Sequence, residues 1–152
     1  MADLPKLFKH IEKHFYNYEA IRRAVALRQE EILKGSPSGG ERIGTPSNQT
    51  GDPTGRKVEQ MNDIKFVETG EGVFYSPIKW LAVFEATQRQ FTGGEAELIK
   101  LRYVQKQPRT RIMIEIEIHE QTYHFWRRNI LKSISTITRL YGAPWHYVRR
   151  KY

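Results

Sequence analysis

From residue 123 onward, apolar side chains return at Tyr123, Trp126 or Arg127, Ile130, Ile134 and Ile137. Steps of three, four and seven residues keep one stripe on one side of an α-helix, so a helix with a single buried face is predicted here. Glu120, Gln121, His124 and Arg128 fall on the opposite face. Just upstream, Ile112, Met113 and Ile116 share one side of a short helical turn, Ile118 plugs a corner, and His119 stands at the cap of the next helix. Helix, tight turn and amphipathic helix in that order make a helix-turn-helix, whose second helix lies in a DNA major groove.

A second local reading covers the same residues. Ile112, Ile114, Ile116 and Ile118 alternate with Met113, Glu115, Glu117 and His119, which is the period of a strand. On a strand, Glu115, Glu117 and His119 would share one face about 6 to 7 Å apart, and such a set can hold a divalent metal that cuts phosphodiesters. No third acidic ligand or general base is placed beside them by spacing. A metal-dependent nuclease is therefore the alternative from another class, and residues 111–119 stay open between helix-turn and strand.

The exposed face of the helix carries residue types that read bases. Gln pairs bidentately with adenine, Arg with guanine, and Glu accepts from cytosine, so Glu120, Gln121, His124 and Arg128 are the candidate base contacts. Arg109, Arg111, Thr122, Arg127 and Lys132 suit phosphates, which supply affinity without sequence information. Charge placement agrees. Of a formal net charge of +8, residues 100–152 hold 12 Lys and Arg against 3 Glu, whereas residues 1–99 hold 13 basic and 14 acidic side chains. Such one-sided excess fits a polyanion-binding region attached to a neutral scaffold.

Upstream, Leu4, Phe8, Ile11, Phe15, Tyr18, Val25 and Ile32 fall on coiled-coil steps, with polar Arg22 and Gln29 in the same seam. One long helix over residues 4–33 is expected, capped by Asp3, ended by Gly35 and roughly 45 Å long. It can pair with a second copy as a homodimer or fold back onto the later helices. Residues 35–56 form a Gly, Pro, Ser and Thr-rich loop expected to be flexible, and Gly39 and Gly40 lie too far from any Lys-Ser/Thr pair for a phosphate-binding loop. Asp52-Pro53-Thr54 starts a helix expected to reach about Thr69, followed by a loop over residues 70–75. Ser76-Pro77 repeats the cap-then-proline signature and opens a helix to about Phe91, with Ile78, Leu81, Val83 or Phe84 and Phe91 as its apolar face. Gly93-Gly94 precedes a short surface helix over residues 95–104, Pro108 ends it, and the last helix runs to Gly142.

The expected fold is mostly α: a long amino-terminal helix (1–34), a flexible loop (35–56), a helical middle region (57–92), the helix-turn-helix region (93–142) and a basic aromatic tail (143–152). In the tail, Trp145, Tyr147 and Tyr152 stand among Arg149, Arg150 and Lys151, where they grip nucleic acid or are simply solvated.

Several function classes fall away. The chain of 152 residues has no cysteine, which removes disulfides, zinc-finger ligands and thiol nucleophiles. MADLPKLFKHIEKH lacks the apolar segment of a secretory signal and no run approaches a membrane span, so a cytoplasmic protein is expected and the Asn48-Gln49-Thr50 sequon has no weight. His10 and His14 at i, i+4 are expected to be a solvated pair for want of a third ligand. No Ser-His-Asp arrangement or Gly-x-Ser-x-Gly is recognisable. No catalytic residue, metal or cofactor is expected.

Asp52-Pro53-Thr54 after a long first helix, Glu97-Leu98-Ile99-Lys100-Leu101-Arg102-Tyr103, and Ile118-x3-Thr122-Tyr123-His124-Phe125-Trp126-Arg127 together resemble the ArpU/RinA family of phage and prophage transcriptional regulators. The resemblance covers nearly the whole chain in motif order, with the Leu-Arg-Tyr and Thr-aromatic-x2-Trp-Arg elements its most specific parts. It implies a carboxy-terminal helix-turn-helix similar to the sigma-factor region that reads promoter −35 elements. It also implies activation of late, packaging or morphogenesis genes in a phage of Gram-positive bacteria. Double-stranded DNA is then the partner and host RNA polymerase a further candidate. A packaging-initiation protein that marks viral DNA for a terminase is the alternative within DNA binding.

Overall fold

The computed structural model describes residues 4–34 and 53–144. Its elements are α1 (Leu4–Tyr16), α2 (Tyr18–Lys34), α3 (Pro53–Asn62), β1 (Phe66–Thr69), β2 (Gly72–Tyr75), α4 (Pro77–Gln90), α5 (Gly93–Ile99), α6 (Arg109–Glu115) and α7 (Glu120–Tyr141), and α5 runs on as a π-helical turn over Lys100–Val104. The fold is mostly α. Asp3, Gly35, the loop to Asp52 and the tail from Trp145 lie outside the described residues.

The single helix expected over residues 4–33 is two helices, interrupted at Asn17. The Asn17 side-chain amide donates to the Lys13 carbonyl at 2.8 Å, and its backbone N–H is shared between the carbonyls of Lys13 (3.3 Å) and His14 (3.2 Å). A short polar side chain that bonds nearby backbone competes with the helix ladder. The two halves have different main partners: α1 meets α7, α2 meets β1, α3 and α4, and both touch the π turn. Leu7, Ile11 and Phe15 of α1 and Ile21 and Val25 of α2 are buried within the chain, whereas Leu4, Phe8, Tyr18 and Ile32 are only partly covered. The apolar stripe is thus used internally, as a first helix folded back onto the later ones requires, rather than as an open coiled-coil seam.

α3 stops at Asn62, short of the expected Thr69, and an antiparallel hairpin replaces the loop expected over residues 70–75. Val67 pairs with Phe74, both buried, and Phe66 with Tyr75, both exposed. Aromatic and β-branched residues on either side of a Gly-containing turn are a hairpin signal. Val67 and Phe74 join Ile21, Val25 and Ile64 in a small second core.

α4 lies between the two cores. Trp80, Val83, Phe84 and Thr87 are buried on its main-core side, while Ile78 and Leu81 pack on the hairpin core. Pro77 is its first residue, but Ser76 does not cap it through its side chain. Ser76 is left-handed (φ 49°), and its N–H donates to the Lys65 carbonyl at 2.8 Å.

The helix expected on the surface at residues 95–104 is largely interior, with Leu98, Ile99, Leu101 and Tyr103 buried. The Gln105 N–H bonds the Lys100 carbonyl at 2.9 Å, an i→i+5 step that shifts the helical register and lets both Leu101 and Tyr103 face inward. A Cβ on Gly94 would meet the Trp126 indole at 2.6 Å. Gly94→Ala is expected to lower stability by about 1–3 kcal/mol through overpacking, read as an earlier denaturation midpoint.

α6, a four-residue connection and α7 occupy the segment where a helix-turn-helix is expected. The strand reading of residues 111–119 is overturned. Residues 109–115 are helical, and Glu117 in the connection is left-handed (φ 51°), which an extended strand does not allow. Glu115, Glu117 and His119 therefore do not share a strand face, and no three His, Cys, Asp or Glu among the described residues are grouped to hold a metal. The nuclease alternative rested on that face. Ile112 is buried and Met113, Ile116 and Ile118 pack against the main core, as the helix-turn reading expects. α7 ends at left-handed Gly142 (φ 68°), with the Ala143 N–H bonded to the Thr138 carbonyl at 3.0 Å. No helix among the described residues is long and apolar enough to cross a membrane.

Candidate nucleic-acid interface

Glu12 lies on the buried side of α1 between Ile11 and Phe15, and its side chain is 11% exposed. Arg127 of α7 forks onto it, Nε to Oε2 at 3.0 Å and a terminal nitrogen to Oε1 at 2.7 Å. Arg102 of the π turn donates from Nε to Oε2 at 3.0 Å, and the Tyr103 hydroxyl donates to the same oxygen. Arg102 also donates to the Tyr123 hydroxyl of α7. Burial pushes the Glu12 pKa up, but hydrogen bonds from Arg127 and Tyr103 and the Arg102 charge outweigh it and hold the carboxyl below its usual range. The bond to Glu12 in turn raises the Arg127 pKa. Burial raises Tyr103 well above the usual phenol range, so its hydroxyl remains a donor.

This cluster corrects the expectation for Arg127. Its fork is closed on Glu12, so it fastens the second helix of the motif to α1 instead of facing phosphates. Glu12 itself was missed. Its one sequence signal is a carboxylate set inside the apolar stripe of Phe8, Ile11 and Phe15.

The outer face of α7 differs in kind. Gln121, Arg128 and Lys132 are exposed at i, i+7 and i+11, one straight stripe of the helix, with Thr122 half-buried at its edge. Arg111 is exposed on α6. Glu120 is also exposed and His124 half-buried, but Arg109 reaches across from α6 to both, 3.1 Å from the Glu120 carboxylate and 3.4 Å from the His124 ring, with Glu120 and His124 3.6 Å apart. Trp126 packs against the main core, as its place beside the buried stripe expects.

The histidine pair is not solvated. His14 is 5% exposed, stacks on Trp80 at 4.0 Å between centroids, and donates from Nδ1 to the His10 carbonyl at 2.9 Å. Burial, with lesser repulsion from His10 and Lys13, pushes its pKa down to about 3. His10 is half-buried, its ring 4.6 Å from that of His14.

Fold and site together define a mostly α-helical protein in which a short helix and a four-residue turn lead into α7, a helix fastened from behind by a buried carboxylate and exposing Gln121, Phe125, Arg128 and Lys132. Comparison with family models, with curated proteins and with solved structures finds no match to the chain.

Proposed function

We propose that this chain is a sequence-specific double-stranded DNA-binding regulator of transcription, with the first turns of α7 set in the major groove. The exposed stripe of Gln121, Arg128 and Lys132, opposite a face closed by the core and by Glu12, is the observation that carries this reading. Gln121 and Arg128 are the direct base readers, and Arg111 and Lys132 meet phosphates. Arg109, Glu120 and His124 act as one coupled set, in which a phosphate that draws Arg109 away releases Glu120 to accept from a base. No step of this function needs catalysis or a cofactor. The resemblance to ArpU/RinA regulators supplies the finer assignment: an activator of phage late genes in the bacterial cytoplasm, with host RNA polymerase as its second partner.

Selection of bound duplexes from a random pool with Mg²⁺ present tests the reading. Enrichment of one intact motif is expected. Retention without a motif would point to packaging, and shortened DNA would contradict a non-enzymatic regulator. Arg128→Ala is expected to lower discrimination by roughly 1–3 kcal/mol at a single base pair. Lys132→Ala should weaken all sequences alike and lower the slope of log K against log salt by about 0.9. Base-pair-resolved binding data separate the two, and uniform loss in Arg128→Ala would remove it from the base readers.

A further inference from the structure

Phe125 is 56% exposed in the second turn of α7. Its neighbours in sequence follow the helical pattern: His124 is tied to Glu120 and Arg109, while Trp126 packs against the core. Phe125 stands four residues after Gln121 and three before Arg128, inside the stripe assigned to base reading. A large apolar ring is thus held in water on a face whose other members are polar or charged. Arg128 and Lys132, exposed on the same face, favour a polyanion over an apolar protein groove as its cover. In the major groove the distinctive apolar marker is the C5-methyl group of thymine, which Phe can contact.

We propose that Phe125 is a specificity-determining residue that reads a thymine methyl group, at a base pair between those met by Gln121 and Arg128. The distance fits. Gln121 and Arg128 are separated by about 10 Å of helical rise, roughly three base-pair steps at 3.4 Å each, and Phe125 falls within that interval. The assignment rests on the DNA-reading function proposed above and adds to it the chemistry of one position of the site.

The test uses the full chain and the duplex it selects, with each thymine replaced in turn by deoxyuridine, which lacks only the methyl group. Dissociation constants are measured by fluorescence anisotropy for the wild type, Phe125→Ala and Phe125→Leu, with unchanged thermal midpoints as the folding control. At one thymine, deoxyuridine should weaken the wild type roughly three- to tenfold, the worth of one buried methyl group or somewhat more. Phe125→Ala should bind thymine and deoxyuridine duplexes equally, and Phe125→Leu should keep part of the difference. If the wild type selects a motif yet is indifferent to deoxyuridine everywhere, or the variants lose affinity equally on both duplexes, the assignment is wrong while the DNA-reading function stands. If Phe125→Ala spares DNA binding but abolishes association with purified bacterial RNA polymerase, the ring belongs to a protein contact and the assignment is likewise wrong. A wild type that holds no duplex would remove the underlying function, and this assignment with it.

Discussion

Glu12→Ala is expected to destabilise the fold by about 3–5 kcal/mol, the range for removing one partner of a buried ion pair. The Glu12 carboxylate accepts from Arg102, Tyr103 and Arg127 at once, and its loss leaves two guanidinium groups facing each other with no anion between them. Arg102, at 16% side-chain exposure, has little water to turn to, whereas Arg127, at 31%, can relax outward. Arg127→Ala should therefore cost less than Glu12→Ala, because Arg102 and Tyr103 still satisfy the carboxylate. Chemical denaturation of the two single variants and the double variant measures the order and the coupling. A loss below about 1 kcal/mol for Glu12→Ala would mean that the cluster behaves as an ordinary surface salt bridge. Because Arg127 and Tyr123 belong to α7 and Arg102 to the π turn, the same substitution should loosen the second helix of the motif relative to α1.

α7 and its buried stripe were legible because their spacing persists over several turns, and left-handed Gly142 marks the end as glycine should. The outward positions of Gln121, Arg128 and Lys132 follow from that periodicity alone. Asn17 was not legible: the apolar steps continue across it, and the break comes from one amide bonding one carbonyl. The hairpin left a signal in its aromatic and β-branched residues around Gly70 and Gly72, but its strands are four residues each, too short for that signal to outweigh the helix start at Asp52-Pro53. Cap signals mark where a helix begins and say little about where it ends. Arg127 shows the limit most directly. Its place on the buried stripe conflicted with its charge, and the resolution lies 115 residues away at Glu12. The coupling of Arg109 to Glu120 and His124 likewise depends on how α6 meets α7 across the turn, which no spacing encodes.

Acid is expected to weaken this protein from well above the usual carboxylate range, because His14 is held neutral in the fold. Its pKa falls from 6.5 to about 3 on folding, so between those values the unfolded chain binds a proton that the folded chain refuses. The stability tied to His14 is complete above pH 6.5 and is lost as pH falls, at up to about 1.4 kcal/mol per unit. Glu12 adds a second loss lower down. Its folded pKa lies below the reference value of 4.5, so its contribution is whole above 4.5 and disappears as pH drops through the lower folded value. Stability plotted against pH should thus begin to fall near 6.5 and steepen below 4.5. His14→Phe isolates the first part. Phenylalanine can keep the stack on Trp80 but gives up the hydrogen bond to the His10 carbonyl, so at pH 7 the variant should be less stable by about 1 kcal/mol. It has no imidazole to protonate, so its profile should stay nearly flat from pH 6.5 to 4.5 and cross that of the wild type. Urea denaturation at half-unit pH steps reads both curves. Parallel profiles would show that His14 is protonated as easily in the fold as outside it, which a ring stacked on Trp80 and edged by Phe74 does not allow.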